Sequence, residues 1–256
     1  MLHKDTHNCF FLLGGHDLEM LEIRHLLDNA QIPYLDGNLG WSNACLSAYG
    51  DFFRQYPEKT YYGVELKEDI QPPANYTRID HHNDCSDRPA SVLQVASLLG
   101  VTPDRHLQLV AANDAGYIPA MQEMGASKEE IADIRRQDRA AQGVTLEEER
   151  LAELSVSEHR MVLGDTVIVH SLTSRFSPIC DRLFPYKRLL IYTDSEWTFY
   201  GDGKSDWANA LSEDIRCGRI YHGGGPSGFI GTVRNAFSKE QIEQFAQTIL
   251  ERYVHD

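Results

Sequence analysis

Four short segments carry the residues on which chemistry in this chain would depend: Gly15-His16-Asp17-Leu18-Glu19, Glu65, Asp80-His81-His82 and Asn113-Asp114. The triplet is the strongest. It sets a carboxylate beside two imidazoles just after a strand-like run, Tyr76 to Ile79, and adjacent histidines after an acid at a strand end are seldom a packing feature. Neutral imidazole with carboxylate suits Mn, Fe, Co or Zn better than Ca or Mg. Asp17 and Glu19 have two readings. They serve one metal or a pair, or they are a helix N-cap and a first-turn acid placed well against the helix dipole. Glu65 ends the apolar run Tyr61 to Val64, where a buried carboxylate is costly unless a cation pairs with it; an exposed strand end beside Lys67 and Glu68 is the plainer alternative. Asp114 falls at a helix end, where negative charge is unfavourable and calls for a compensating cation.

The elements that position these residues follow from hydrophobic pattern. Cys9 to Leu13 is a continuous apolar run stopped by Gly14-Gly15, as in a strand buried on both faces of a parallel sheet. A helix follows, with Met20, Ile23, Leu27 and Ala30 at helical spacing. Ile32 to Leu35, Tyr61 to Leu66 and Tyr76 to Ile79 read as strands, and Ala90 to Leu99 as a helix. Thr102 as N-cap and Pro103 at the first helical position open another. Strands alternating with helices predict a doubly wound, mostly parallel α/β sheet, with ligands at the carboxyl ends of its strands.

Two capping boxes, Ser127 with Glu130 and Thr145 with Glu148, open charged helices broken near Gly143. Residues 126–162 therefore read as a helical connector with solvated faces. Thr166 to His170, Leu189 to Tyr192 and Trp197 to Tyr200 are further strands. The cluster Gly223-Gly224-Gly225-Pro226-Ser227-Gly228 precedes a last helix opened by Ser238 and Gln241. The expected organisation is 1–125, a metal-binding catalytic domain; 126–162, the connector; and 163–256, a smaller α/β domain.

Composition narrows the function. With a formal net charge of -14 and no basic stripe, attraction to long duplex nucleic acid is not expected. No stretch approaches the ~20 apolar residues of a membrane span. The five scattered cysteines form no CxxC pair and suit reduced thiols in a cytoplasmic protein.

The order of the four segments resembles the DHH phosphoesterase superfamily, which includes RecJ-like exonucleases, nanoRNases, phosphoadenosine-phosphate phosphatases and family II inorganic pyrophosphatases. The resemblance spans almost the whole chain, although only Asp80-His81-His82 is specific by itself. It implies two divalent metal ions, Mn first, with Co, Fe, Zn or Mg as alternatives. Glu65 would bridge them, Asp17 would serve one ion, and Glu19, His81 and Asp114 the other, with His16 a weaker candidate ligand. His82 would contact phosphate, with Asp80 hydrogen-bonding or ligating nearby as the second catalytic residue. The glycine cluster resembles the substrate motif of a DHH-associated domain, giving Gly223, Gly224, Gly225 and Ser227 as substrate contacts, with Arg175 and Lys204 as further cations. Three departures mark a divergent member. His16 abuts Asp17, Glu stands at 19 and 65 where Asp is usual, and Pro226 follows the third glycine where His is usual.

The implied function is hydrolysis of a phosphodiester or phosphomonoester in a small nucleotide or short oligonucleotide by a chain that associates with no membrane and is compatible with a homodimer. A pyrophosphatase-like hydrolase is the enzymatic alternative, against which Trp197, Tyr200 and Trp207 lean as base-stacking candidates. A nucleotide-binding module without catalysis is the alternative of another class. Other motifs fail. Gly203-Lys204-Ser205 lacks the upstream glycine of a P-loop, since Thr198 stands there. An HD-type pair would sit in an all-helical protein, and His3, Asp5 and His7 read as a frayed terminus.

Overall fold

A computed structural model describes residues 8–40, 43–224 and 228–253. His3, Asp5, His7, Gly225, Pro226 and Ser227 lie outside the described residues. The chain divides into two compact units, Met1–Gly143 and Val144–Asp256.

The first unit is built on β1 (Cys9–Leu13), β2 (Tyr34–Asp36), β3 (Thr60–Val64) and β4 (Tyr76–Ile79), in the order β2-β1-β3-β4. Every pairing is parallel. Successive side chains of a strand point to opposite faces, and both faces of β1 are covered. Cys9, Phe11 and Leu13 pack against Met20, Ile23 and Leu27 of α1 (Leu18–Asn29) and Val92 and Val95 of α3 (Ser91–Leu99). Leu12 joins Leu46, Tyr49 and Tyr61 on the other face, with Phe52 of α2 (Gly50–Gln55) against them. The expected doubly wound sheet is therefore present.

The chain leaves β1 toward β2 on one side and β3 on the other, so the switch point lies between β1 and β3. Gly14 closes that point: its N–H donates to the Val64 carbonyl at 3.0 Å. A Cβ at Gly14 would stand 2.7 Å from the Glu65 carbonyl oxygen, an approach only glycine permits.

Helix α4 (Arg105–Glu123) differs from expectation at both ends. It is capped by Asp104, whose carboxylate accepts the Leu107 N–H, rather than by Thr102. Its expected stop beyond Asp114 is a break, with Gly116 and Tyr117 (φ 59°) non-helical, after which the helix resumes through Pro119. Helix α5 (Lys128–Ala141) begins at the Ser127 capping box and belongs to the first unit, while α6 (Leu146–Glu158), begun at the Thr145 box, belongs to the second. The segment 126–162 is thus divided at Gly143 rather than standing apart. The face of α5 is also not wholly solvated: Ile134, Arg135, Asp138 and Arg139 are buried.

The second unit carries β5 (Arg160–Leu163), β6 (Thr166–His170), β7 (Arg188–Tyr192), β8 (Trp197–Gly201), β9 (Ile220–Gly223) and β10 (Phe229–Thr232), ordered β5-β6-β7-β8-β10-β9. Only β6 and β7 pair in parallel. Val169, Leu189 and Ile191 face α6 and α7 (Ser177–Leu183). Leu190, Phe199 and Ile230 face α8 (Lys204–Ala210) and α10 (Lys239–Tyr253), with α9 (Ser212–Arg216) beside β9. Ser238 and Gln241 form the predicted reciprocal cap of α10. Trp197 and Trp207 are core residues, Trp197 stacked on Phe245 at 3.7 Å. That removes both from the set of base-stacking candidates. Among the described residues no helix is long and apolar enough to cross a membrane.

The Gly201 turn is the tightest constraint in this unit. Gly201 has φ 92°, and a Cβ there would sit 2.1 Å from the Lys187 carbonyl oxygen. Replacing Gly201 by Ala is expected to lower stability by about 1–3 kcal/mol or more, from backbone strain with a clash added. Urea unfolding followed by circular dichroism measures it, and an unchanged midpoint would contradict the assigned conformation.

Candidate metal centre

The carboxyl ends of the parallel strands deliver the four sequence segments to one place. Asp17 and Glu19 follow β1, Glu65 follows β3, the Asp80-His81-His82 triplet follows β4, and Asp114 arrives from α4 just before its break. Local structure explains each placement. Asp17 caps α1, its Oδ1 accepting the Met20 N–H at 2.8 Å, so the capping alternative is realised. Glu19, in the first turn and buried, accepts through Oε1 the Val92 N–H at the start of α3, at 2.9 Å. Glu65 has φ 53°, a conformation that costs a non-glycine residue and is found most often at functional sites. Its N–H still donates to the Ile79 carbonyl, so the chain turns sharply while the end of the sheet stays closed.

The reactive atoms converge on His81. From its Nε2, Asp114 Oδ2 is 2.5 Å away, Glu65 Oε1 3.5 Å and Glu19 Oε2 3.6 Å. Glu65, His81, His82 and Asp114 can each offer one ligand atom within 4.8 Å of all the others. Yet Glu19 Oε2, both Glu65 oxygens, His81 Nε2 and Asp114 Oδ2 are buried without a properly directed hydrogen bond. Buried polar atoms are almost always satisfied. Five such atoms around one small space, all nitrogen or carboxylate oxygen, fit a divalent transition-metal ion.

Without a metal, protons must offset this charge. Burial disfavours an imidazolium at His81, but Asp114, Glu19 and Glu65 outweigh it and carry the pKa up to about 12. Burial holds Glu19 well above the usual carboxylate range. For Glu65 burial acts the same way, but contacts with His81 and Glu19 bring the pKa below normal. Burial also lifts Asp17, against the Met20 N–H and with repulsion from Asp114 and Glu65, to about 7.

Asp80 has a different task. Arg78 donates to its Oδ2 from both Nε and Nη2, at 3.0 and 2.5 Å. Its Oδ1 accepts the His82 N–H at 2.9 Å and lies 3.2 Å from His82 Nδ1. Burial is outweighed by the His82 N–H and Arg78, so Asp80 stays ionised below its usual range. Asp80 therefore orients His82 and does not join the converging donors. His82 is 44% exposed and, with Lys67 and Arg78, lines a cleft of about 650 Å³ beside Glu65.

Of the other expected contacts, half-buried His16 is not in the converging group among the described residues. In the second unit, Gly223 and Gly224 begin the β9–β10 turn, where a Cβ at Gly228 would lie 2.0 Å from the Gly223 carbonyl oxygen. A Cβ at Gly223 would stand 2.9 Å from the Phe229 ring, and Gly224 has φ 71°, so local packing and backbone conformation already favour glycine at both. Arg175 stands 3.6 Å from Glu148, and Lys204 is buried at the start of α8.

Sequence reasoning missed Arg78, Arg135 and Asp138. The signals were present: Arg78 and Asp80 have the two-residue spacing of one strand face. Ile131, Ile134, Arg135 and Asp138 have the spacing of one helix face. Arg135 Nη1 donates to Asn113 Oδ1 at 2.9 Å and to Asp138 Oδ2 at 2.7 Å, and Asp138 Oδ1 accepts the Leu18 N–H at 3.2 Å.

The pKa of Asp17 sets the pH response of the metal-free protein. Below about pH 4 the group is neutral folded and unfolded. Between its unfolded value of 3.8 and about 7 the unfolded chain ionises first, so stability falls as pH rises. Glu19, also raised, acts in the same direction over this range, and His81, raised from 6.5 to about 12, does so above it. Asp17→Asn is expected to flatten the slope between pH 4 and 7, measured by urea unfolding in chelator at stepped pH. An unchanged slope would rule out the raised pKa.

No family model matches the chain, and no curated protein matches it. Solved structures do. The pGpG-specific phosphodiesterase PggH from Vibrio cholerae superposes with a TM-score of 0.52 at 10% identity, over 96% of this chain and 98% of that one. The DHH domain of a protein described as belonging to a family of ribosomal proteins gives 0.53 at 12% identity, over 98% and 88%. A manganese-bound RecJ exonuclease aligns more loosely, with a TM-score of 0.39 at 7% identity over 97% and 91%. The first two comparisons establish that this chain has the DHH-type fold through both of its units.

Proposed function

We propose that this protein, a divergent member of the DHH superfamily, is a metal-dependent phosphoesterase acting on a small nucleotide or short oligonucleotide. The observation that carries the reading is the set of five buried, undirected donor atoms around His81. Glu19, Glu65, His81 and Asp114 would hold an ion, Mn being the first choice for this nitrogen and oxygen set. Held by these residues, such an ion would supply Lewis-acid polarisation of a phosphoryl oxygen and a water of near-neutral pKa. Asp17 and Glu65 would hold the second ion that the resemblance implies, Asp17 through Oδ2, since its Oδ1 accepts the Met20 N–H.

The chain's own groups do the rest. His82, with Nδ1 turned to Asp80, would offer Nε2 to a substrate phosphate, to hold it or supply a proton as the bond to the leaving oxygen breaks. Arg78 keeps Asp80 ionised, and Asp80 in turn fixes the imidazole. Lys67 lines the same cleft and is placed to draw in an anion against the excess of acid. The second unit is assigned the substrate contacts that the resemblance implies, Gly223, Gly224, Gly225 and Ser227, with Arg175 added as a cation. The likeness in fold to a pGpG-specific phosphodiesterase makes a 5′-phosphorylated dinucleotide the first substrate to try. The five cysteines form no disulfide, which suits the reducing cytoplasm.

Turnover of pGpG and of other linear dinucleotides by the purified protein is expected with added Mn and not with chelator. His81→Ala and Asp114→Ala should each lower it more than about 100-fold while the circular dichroism spectrum is kept, since even outer-shell partners cost 10–100-fold. Wild-type turnover in both variants would refute the site. Nucleotide binding without turnover in the Mn-loaded protein would favour the non-catalytic module.

A further inference from the structure

Behind the donor cluster lies a buried ion pair that the chemistry just described does not use. Arg135 and Asp138, both on α5, are 8% and 4% exposed. Replacing a buried ion pair by apolar side chains is often neutral or stabilising, so stability alone is a weak account of this one. Its connections are specific. Asp138 Oδ1 accepts the N–H of Leu18, the residue between Asp17 and Glu19, at 3.2 Å. Arg135 Nη1 donates to Asn113 Oδ1, the residue before Asp114, at 2.9 Å. The Arg135 guanidinium also lies 4.6 Å from the ring centroid of Tyr117, which holds the positive-φ position of the break in α4. Two of these arms land on residues adjacent to candidate ligands, and the third holds the break just beyond Asp114.

We propose that Arg135 and Asp138 are positioning residues that lock the first turn of α1 to the broken turn of α4, and so set the separation of Glu19 from Asp114 across His81. The inference rests on the metal reading above. The physics favours a rigid fork over a tether. A guanidinium offers several donors in one plane and stacks on an aromatic face, which a lysine ammonium cannot reproduce. The Leu18 N–H is one of the unsatisfied donors of a helix start, so a carboxylate bonded to it fixes the end of α1 that carries two of the acids. Asp138 also accepts Gln142 Nε2 at 3.0 Å, which holds its carboxylate in place from the same helix.

Arg135→Lys and Asp138→Asn in the full chain test the proposal. Mn affinity is read by titration calorimetry, and site geometry by the visible absorption of the Co-loaded protein. Each variant is expected to weaken Mn binding about 10–100-fold, the usual cost of losing an outer-shell partner, and to shift the Co bands. A purely structural pair would lower the unfolding midpoint and leave the Kd and the Co spectrum of the folded protein as in wild type; that result overturns the proposal. If Arg135→Lys does not fold, Asn113→Ala and Tyr117→Leu, which each cut one arm, decide it by the same two measurements. Wild-type protein that binds no Mn overturns the metal reading itself, whereas wild-type binding with unaltered variants overturns only the positioning role.

Discussion

Asp17, Glu19 and Glu65 are buried and Asp114 is nearly so, and the last three lie within 3.6 Å of a single imidazole, His81. Such an arrangement is electrostatically unfavourable unless positive charge is added, because desolvated carboxylates repel one another in a medium that screens poorly. Much of the first unit serves to hold them there regardless. Parallel strands end side by side, Gly14 lets β1 approach the turn after β3, and Glu65 adopts a costly backbone angle. The starts of α1 and α3 bring backbone N–H groups to Asp17 and Glu19. Strain and repulsion gathered at one point, with the sheet packed on both faces around it, are the pattern of a site that is completed by a ligand.

The division of labour within Asp80-His81-His82 follows from strand geometry. Adjacent residues point to opposite sides, so His81 turns into the acid cluster while Asp80 shares a side with Arg78. The consequence is electrostatic as well as steric. Arg78 neutralises Asp80, so the triplet's carboxylate adds no net repulsion to the cluster, and His82 gains an oriented imidazole at the mouth of the cleft. Three consecutive residues thus take three positions: Asp80 on Arg78, His81 among the buried acids and His82 on the cleft.

Much of this was legible in the chain itself. The apolar run ending at Gly14-Gly15, the strand before Asp80 and the capping boxes at Ser127, Thr145 and Ser238 depend on local chemistry, and local chemistry is what a sequence displays. The order of acids and histidines announced the cluster only through its resemblance to a known family, since Asp17, Glu19 and Glu65 taken singly read equally well as a cap, a first-turn acid and an exposed strand end. What stayed hidden depended on long-range packing. Arg135 and Asp138 looked like part of a solvated charge run: they share a helix face with Ile131 and Ile134, but no local signal says that this face packs on α1 and α4. Trp197 and Trp207 looked available for stacking because an aromatic's type does not reveal its burial. β5 escaped notice because its exposed edge residues lack an alternating pattern, and β9 and β10 because glycines interrupt the apolar signal between them.

The break in α4 shows why a regular helix would not serve. Asp114 would otherwise lie mid-helix, its orientation tied to the turns on either side. Ending the first segment at Gly116 places the acid near the negative pole of that segment, which is unfavourable for a carboxylate, but frees the following backbone to turn away. The cost is offset on two sides, by His81 at 2.5 Å and by Arg135 on neighbouring Asn113. An ion at the cluster would enlarge the first of these contributions by replacing a proton with two charges. The same exchange relieves Glu19 and Glu65 of their mutual repulsion. On the metal reading, occupancy and the geometry of the broken turn would be linked, each favouring the other.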